Sequence, residues 1–319
     1  MRFFDGAAVD RALGYPGLVD ILQAAFKQGA IVPLRHHHAI ELDGRPEATL
    51  LLMPAWEASA PGAATAGRYL GVKTITVFPD NAGRGKPAVF GIYLLLSAET
   101  GETLAVMDAS RLTAWRTAAA SALASRYLSR PDASRLLMVG AGALAPQLIA
   151  AHASVRPISE VMLWNRSPER ARRLIAKLAE QGRNVSLAAD LGAAASWADI
   201  VSVATLAAEP LIRGDWLKPG THVDGVGAYR PNMRETDDAV VRRARIYVDT
   251  RDGALAEAGD IVQPLNSGTI SKDAILGDLF DLTGGSVKGR KTAEEITFFK
   301  SVGAAIEDLA AAIAVYLKG

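Results

Sequence analysis

The chain reads as an α/β protein: a doubly wound parallel sheet joined to a second, α+β domain assembled from both chain ends. Three observations predict this. From Leu136 onward, short β-forming runs alternate with helical stretches, the order that builds a parallel sheet. Before that point the β-forming runs follow one another directly, separated by turn residues, as in an antiparallel sheet. Finally, 319 residues with half of them hydrophobic exceed one ordinary core, so two domains are expected.

Taken in order, residues 5–29 place Val9, Leu13, Leu18, Ile21, Leu22, Ala25 and Phe26 at helical spacing, which predicts one or two amphipathic helices. Segments near 34–42, 48–54, 69–78, 89–97 and 103–108 read as strands, with turns at Asp43-Gly44, Pro79-Asp80-Asn81 and Thr100-Gly101-Glu102. Asp80-Asn81 fits a turn and equally a group reaching a substrate. Thr113–Leu128 is helical and ends near Arg130-Pro131. Strands follow at Leu136–Val139, Glu160–Trp164, Val185–Leu187, Ile200–Val203, His222–Val226 and Ile246–Val248, with helices over 144–155 and 168–181. Residues 284–292 read as a mobile loop, because no strand–helix context makes them a phosphate cradle. The tail from Ala293 to Leu317 shows Ile296, Phe299, Val302, Ile306 and Leu309 at helical spacing and is predicted as one helix.

Composition narrows the function classes. Lys and Arg number 35 against 34 Asp and Glu, so the net charge of +1 gives no reason to expect nucleic acid or a membrane surface as partner. The absence of cysteine removes disulfides, thiolate nucleophiles and Cys-type zinc sites, and points to a reducing cytoplasm. The first residues lack a signal-peptide pattern, and the longest apolar runs, near Leu50–Met53 and Ile92–Leu96, have strand length. A soluble protein is expected. His36-His37-His38 would alternate across a strand, leaving only His36 and His38 to share a ligand, with no carboxylate or cysteine to complete a set; no metal is expected.

The chemistry-bearing motif is Val139-Gly140-Ala141-Gly142-Ala143-Leu144-Ala145, a strand running into G-x-G-x-x-A and then a helix. Gly140 allows the tight turn, Gly142 lets backbone approach a pyrophosphate, and Ala145 permits close helix packing. The exposed N–H groups at the helix start would hold the phosphates. At the end of the second strand, Trp164-Asn165-Arg166-Ser167 presents no carboxylate for a ribose 2′-hydroxyl. Arg166 offers a guanidinium, and Asn165 and Ser167 offer hydrogen bonds, to a 2′-phosphate. NADP(H) is therefore favoured, with NAD(H) possible.

Thr113-Ala114-Trp115-Arg116-Thr117-Ala118-Ala119-Ala120-Ser121 resembles the T-A-x-R-T-A-A-x-S signature of the ornithine cyclodeaminase/mu-crystallin family. Further stretches follow in the family's order: Thr205–Pro210, His222–Ala228, Arg230–Glu235, Tyr247–Asp249, Glu257–Asp260 and Phe299–Gly303. The resemblance implies a homodimer in which residues 1–116 and 293–319 form a substrate-binding and dimerisation domain and residues 117–292 a Rossmann dinucleotide-binding domain. It implies cofactor contacts at Gly140, Gly142, Ala143, Asn165, Arg166, Ser167, Thr205, Val226 and Ser301. Arg35 and Arg116 resemble the family's ligands for a substrate carboxylate, and Lys73 its active-site lysine, a proton donor or stabiliser of the developing amine.

Members include ornithine cyclodeaminases, alanine dehydrogenases and ketimine reductases, and two departures bear on the choice. Cyclodeaminases carry Gly-Gly-Asp where this chain has Gly227-Ala228-Tyr229, so ornithine cyclisation is disfavoured; Asp224 falls inside a strand and is no replacement. Phe90-Gly91-Ile92-Tyr93 stands where reductase-like relatives often read His-Gly-Thr-Tyr, which removes possible contacts to nicotinamide or substrate. The expected activity is NAD(P)H-dependent reduction of a small cyclic 2-imino acid to the L-amino acid. The alternatives are alanine dehydrogenase or ornithine cyclodeaminase activity, or a non-catalytic, cofactor-gated binding protein.

Overall fold

Side chains alternate across a strand, and in the first third of the chain that alternation sorts a buried face from an open one. The computed structural model describes residues 1–57 and 68–319, and divides into one unit of Met1–Thr117 with Ala304–Gly319 and another of Ala118–Gly303. The division falls inside the helix Ala109–Leu128.

The first unit holds a seven-stranded sheet of β1 (Arg2–Phe4), β2 (Ala30–Ile31), β3 (His36–Ile40), β4 (Ala48–Glu57), β5 (Tyr69–Val77), β6 (Val89–Ser97) and β7 (Thr103–Asp108). Its order is β1-β7-β6-β5-β4-β2, with β3 also on β4; β1 runs parallel to β7 and every other pairing is antiparallel. Met53, Ala55, Lys73, Ile75, Tyr93, Leu95, Ala105 and Met107 fill one face. The helices Gly17–Gln28 and Ala305–Lys318 pack against each other, and the second of them covers β4, β5 and β6. On the opposite face Phe90 and Ile92 stand 45% and 44% exposed, beside half-buried Val72, Leu94 and Val106. The amino-terminal helical stretch is two helices, Gly6–Ala12 and Gly17–Gln28.

The second unit is an all-parallel, eight-stranded sheet: β8 (Arg135–Val139), β9 (Glu160–Trp164), β10 (Ser186–Leu187), β11 (Ile200–Val203), β12 (His222–Gly225), β13 (Arg245–Val248), β14 (Ile275–Gly277) and β15 (Thr297–Lys300). The order β10-β9-β8-β11-β12-β15-β13-β14 reverses direction between β8 and β11, the switch point at which doubly wound sheets bind ligands. β11, β12 and β15 are buried at every residue, as strands covered on both faces must be. Leu137, Val201, Val223, Ile246 and Phe298 make the core. Asp224 lies in that core, bonded to His152 Nε2 at 3.1 Å and Ser202 Oγ at 2.7 Å, which bears out its placement inside a strand.

Two expectations are corrected. The tail is not one helix: Thr297–Lys300 is a strand, inserted between β12 and β13, and the helix begins at Ala305. Ile296, Phe299 and Val302 match helical spacing by coincidence, and Gly303, at φ 85°, breaks the chain before the helix. The segment 284–292 is pinned: Arg290 donates to Leu128 O at 2.7 Å and to Gly220 O at 3.1 Å, and Tyr247 Oη donates to Gly289 O at 3.2 Å. Asp80 sits in a 3₁₀ turn, paired to Arg45 at 3.2 Å, and Asn81 donates to Pro87 O at 2.9 Å, so the turn reading holds.

Phe298 is fully buried in the β12–β15 layer. Phe298→Ala is expected to destabilise the parallel-sheet unit by about 3–5 kcal/mol, read as an earlier denaturant midpoint; an unchanged midpoint contradicts this placement.

Candidate active site

In the first unit, four ionised side chains meet beneath the sheet. Lys73 projects from the centre of β5 to the face covered by the C-terminal helix, because positions 71, 73 and 75 share that face. Arg116 and Thr113 stand three apart on the helix Ala109–Leu128 and so occupy one side of it. Glu307 and Asp308 fall in the first turn of the helix Ala305–Lys318, where the positive end of the helix favours carboxylates. Lys73 Nζ lies 2.7 Å from Asp308 Oδ2 and 3.4 Å from Thr113 Oγ1. Arg116 donates from NH1 to Glu307 Oε2 at 2.7 Å and from Nε to Asp308 Oδ1 at 3.0 Å. Both acids are fully buried, and Lys73 and Arg116 nearly so.

Burial first, then the neighbouring Arg116 guanidinium, lowers the Lys73 ammonium to about 8 against the pull of Asp308, and the charge of Arg35 adds to the lowering. Arg35, half-buried just before β3, therefore acts on the same group electrostatically. Tyr93 is the cross-strand neighbour of Lys73. Burial and the Asp308 charge push its phenol well up, so it stays protonated. Its hydroxyl finds no hydrogen-bond partner among the described residues, and a side chain at Gly71 would run into it. Within the cluster two cations, Lys73 and Arg116, meet two carboxylates, and the charge of Arg35 reaches Lys73 as well.

Glu307 and Asp308 were not among the residues singled out from the sequence. Their signal was there: two adjacent acids inside Ala304-Ala305-Ile306-Glu307-Asp308-Leu309-Ala310-Ala311, a helix otherwise apolar on all sides, must be buried and therefore paired. Phe90 and Ile92 lie on the sheet face opposite Lys73 and Tyr93, so their departure from His and Thr leaves the lysine's surroundings untouched. Since Lys73 and Arg116 both lean on Asp308, Asp308→Asn leaves buried cations under-compensated. A loss of about 3–5 kcal/mol of stability is expected, measured by chemical denaturation; a variant as stable as the parent contradicts the pairing.

In the second unit, the residues after β8, β9, β11, β12 and β15 gather at the carboxyl ends of the strands. Gly140 has φ 112°, and a Cβ there would run into the Ala204 carbonyl, so only glycine fits. At Gly142 a Cβ would meet nothing within 4 Å: the protein leaves open the space that a pyrophosphate needs in front of the helix Ala145–Val155. These features fit a bound dinucleotide. Asn165 is used differently from the expectation, since its Oδ1 accepts from Ala141 N at 3.2 Å and its Nδ2 donates to Ser167 O at 3.0 Å. It braces the glycine turn from within, which leaves the exposed Arg166 as the charged group of this loop. Ser167 Oγ donates to Glu169 Oε2 at 3.3 Å. Ala143 begins the turn into the helix, Thr205 bonds Glu235, Val226 continues β12, and Ser301 Oγ donates to Asp249 at 3.3 Å.

The model of the ornithine cyclodeaminase/mu-crystallin family matches residues 9–318. The Δ1-pyrroline-2-carboxylate reductase of Paracoccus denitrificans is 40% identical over 286 residues, covering 89% of this chain and 88% of that protein. The structure of Thermococcus litoralis Δ1-pyrroline-2-carboxylate reductase in complex with NADH and L-proline is similar with a TM-score of 0.91 at 32% identity, covering 100% of this chain and 97% of that one. An archaeal alanine dehydrogenase dimer with bound NAD gives a TM-score of 0.88 at 28% identity, over 100% of this chain and 95% of its own. The resemblance carried by the T-A-x-R-T-A-A-x-S stretch thus extends along the chain, which belongs to the ornithine cyclodeaminase/mu-crystallin family.

Proposed function

We propose that the protein is an NAD(P)H-dependent ketimine reductase that converts a cyclic 2-imino acid, Δ1-pyrroline-2-carboxylate or its six-membered homologue, to the L-amino acid. The observation that carries this reading is the buried Lys73–Asp308–Arg116–Glu307 cluster, with the charge of Arg35 acting on Lys73. The names of the similar reductases, one of them holding NADH and L-proline, support it.

Reduction adds a hydride to the imine carbon and a proton to its nitrogen; the reduced nicotinamide supplies the hydride. Arg35 and Arg116 bind the carboxylate, and Glu307 and Asp308 fix the orientation of Arg116 by gripping Nε and NH1. Lys73 delivers the proton. With its affinity lowered to about 8 it is charged at neutral pH yet gives the proton up more readily than an exposed lysine. Asp308, 2.7 Å away, aims the ammonium. Gly140, Gly142, Ala143, Thr205, Val226 and Ser301 hold the dinucleotide, with Asn165 and Ser167 shaping the loop that carries Arg166. Arg166 and the lack of a carboxylate at residues 165–167 favour NADP(H) over NAD(H).

A homodimer is part of this reading. The sheet face bearing Val72, Phe90, Ile92, Leu94 and Val106 is apolar and open, as an interface between copies would be. A similar alanine dehydrogenase is a dimer. A cysteine-free chain suits the cytoplasm, and among the described residues no helix is long and apolar enough to cross a membrane.

Consumption of NADPH and NADH, followed at 340 nm (roughly the nicotinamide absorbance), tests the reading. Turnover is expected with Δ1-pyrroline-2-carboxylate and not with pyruvate plus ammonia, nor with ornithine plus oxidised cofactor. Turnover only with pyruvate and ammonia makes the protein an alanine dehydrogenase. Lys73→Ala is expected to lower kcat by about 10²–10⁴ and to remove the decline in rate as pH rises through about 8; unchanged imine reduction rejects the proton role. Arg166→Ala is expected to narrow the preference for NADPH by about tenfold, the loss of one charge-assisted phosphate contact. An unaltered preference places the 2′-phosphate elsewhere.

A further inference from the structure

One buried side chain joins two of the strand-end loops in the parallel-sheet unit. Glu235 is fully buried. Its Oε1 accepts from Thr205 N at 2.7 Å and Thr205 Oγ1 at 2.8 Å, and its Oε2 from Gly227 N at 2.8 Å and Ala228 N at 3.0 Å. The loop after β11 and the loop after β12 thus hang on one carboxylate. Gly227 has no room for a side chain, because Thr205 backbone and the Glu235 carboxylate fill that space.

The acid is itself held from two sides. Lys300, the last residue of β15, places Nζ 3.6 Å from Glu235 Oε2 and 3.2 Å from Asp260 Oδ2. Asp260 Oδ1 accepts from Glu235 N at 2.9 Å, Thr236 N at 2.8 Å and Thr236 Oγ1 at 2.8 Å, which fixes the backbone that carries the glutamate. All three ionised groups are fully buried. The cross-strand neighbours of Lys300 are Gly225 and Val248, so an apolar filling is what packing alone would select. Three buried ions cost several kcal/mol each in desolvation, and what they achieve is the alignment of four donors across two loops.

We infer that Glu235, clamped by Lys300 and Asp260, is the positioning residue of the dinucleotide site, setting Thr205 and the Val226–Ala228 turn for the cofactor. This rests on the dinucleotide reading of the second unit. All four groups facing the carboxylate are donors, so a neutral amide at this position sets N–H against N–H whichever way it is flipped. The ionised groups packed around Glu235 are Lys300 from β15 and Asp260 from the helix Gly259–Asn266. Burial, followed by Lys300 in opposition and Asp260 in support, leaves Glu235 at about 7. Protonation removes acceptor capacity from the same four donors, so acid acts in the direction of Glu235→Gln.

The test is dissociation constants for NADH and NADPH, read by nicotinamide fluorescence on the full-length protein, with melting curves of the cofactor-free form as a control for folding. Wild-type affinity is expected to weaken as pH falls through about 7. Glu235→Gln is expected to bind about tenfold or more weakly at pH 8, the effect of roughly one charged hydrogen bond, and to show no acid-side decline. If Glu235→Gln does not fold, Lys300→Met, which removes the charge opposing protonation of Glu235 without touching either loop, is expected to move the acid-side decline to higher pH, and a decline left in place overturns the inference. Wild-type affinity in folded Glu235→Gln, or an acid-side decline that survives in it, overturns the inference alone. Failure of the wild type to bind either dinucleotide overturns the site reading and the inference with it.

Discussion

Burying a lysine and an arginine side by side is the constraint on which the rest of the first unit depends. Removing each ion from water costs several kcal/mol, while two opposite charges about 4 Å apart recover only about 4 kcal/mol at an effective dielectric near 20. One partner per cation roughly breaks even. The chain meets this by making Asp308 serve both cations, through Oδ2 to Lys73 and Oδ1 to Arg116, and by adding Glu307 to Arg116. The first turn of the C-terminal helix lowers the cost of the acids themselves. The return of the chain's far end to its first domain thereby has a chemical purpose: it delivers the two carboxylates without which β5 could not carry a charged lysine at its centre.

The parallel-sheet unit uses the same device for another end. There too a buried carboxylate is surrounded by donors, but three of its four hydrogen bonds come from backbone amides of loops and the fourth from the Thr205 hydroxyl. In the first unit, buried acids orient side-chain cations; in the second, buried acids orient the main chain. Both arrangements need water kept out, since an exposed ion pair is worth little. The fully buried strands β11, β12 and β15 and the helix-covered face of the antiparallel sheet provide that exclusion.

Features with a local cause were legible in the sequence. Gly140 and Gly142 declare themselves because a turn and an approaching phosphate each demand glycine, and alternating β-forming and helical runs announce a parallel sheet. The family, the two-part α/β fold and the reductase assignment followed from the ordered stretches around Arg116 and beyond. What failed was decided by tertiary partners. Thr297–Lys300 carries a helical spacing by chance and becomes a strand because β12 and β13 flank it. The bracing of the glycine turn by Asn165 was not legible either, since it depends on Ala141 and Ser167 meeting its amide. That Phe90 and Ile92 lie on the face opposite Lys73 could not be read from sequence spacing, which does not say which face of a sheet holds the lysine. Glu307 and Asp308 were hidden by treating the tail as packing alone, although two acids in a buried helix cannot be packing alone.

The charge state of Lys73 is where these threads meet, because its burial, its carboxylate partner and its proposed role all set one quantity. Side-chain nitrogen NMR of lysine-labelled protein, titrated with base, measures it directly. The Lys73 resonance is predicted to titrate near 8. A midpoint at the ordinary lysine value of 10.5 would show a solvated ammonium and contradict the buried cluster from which the function is argued.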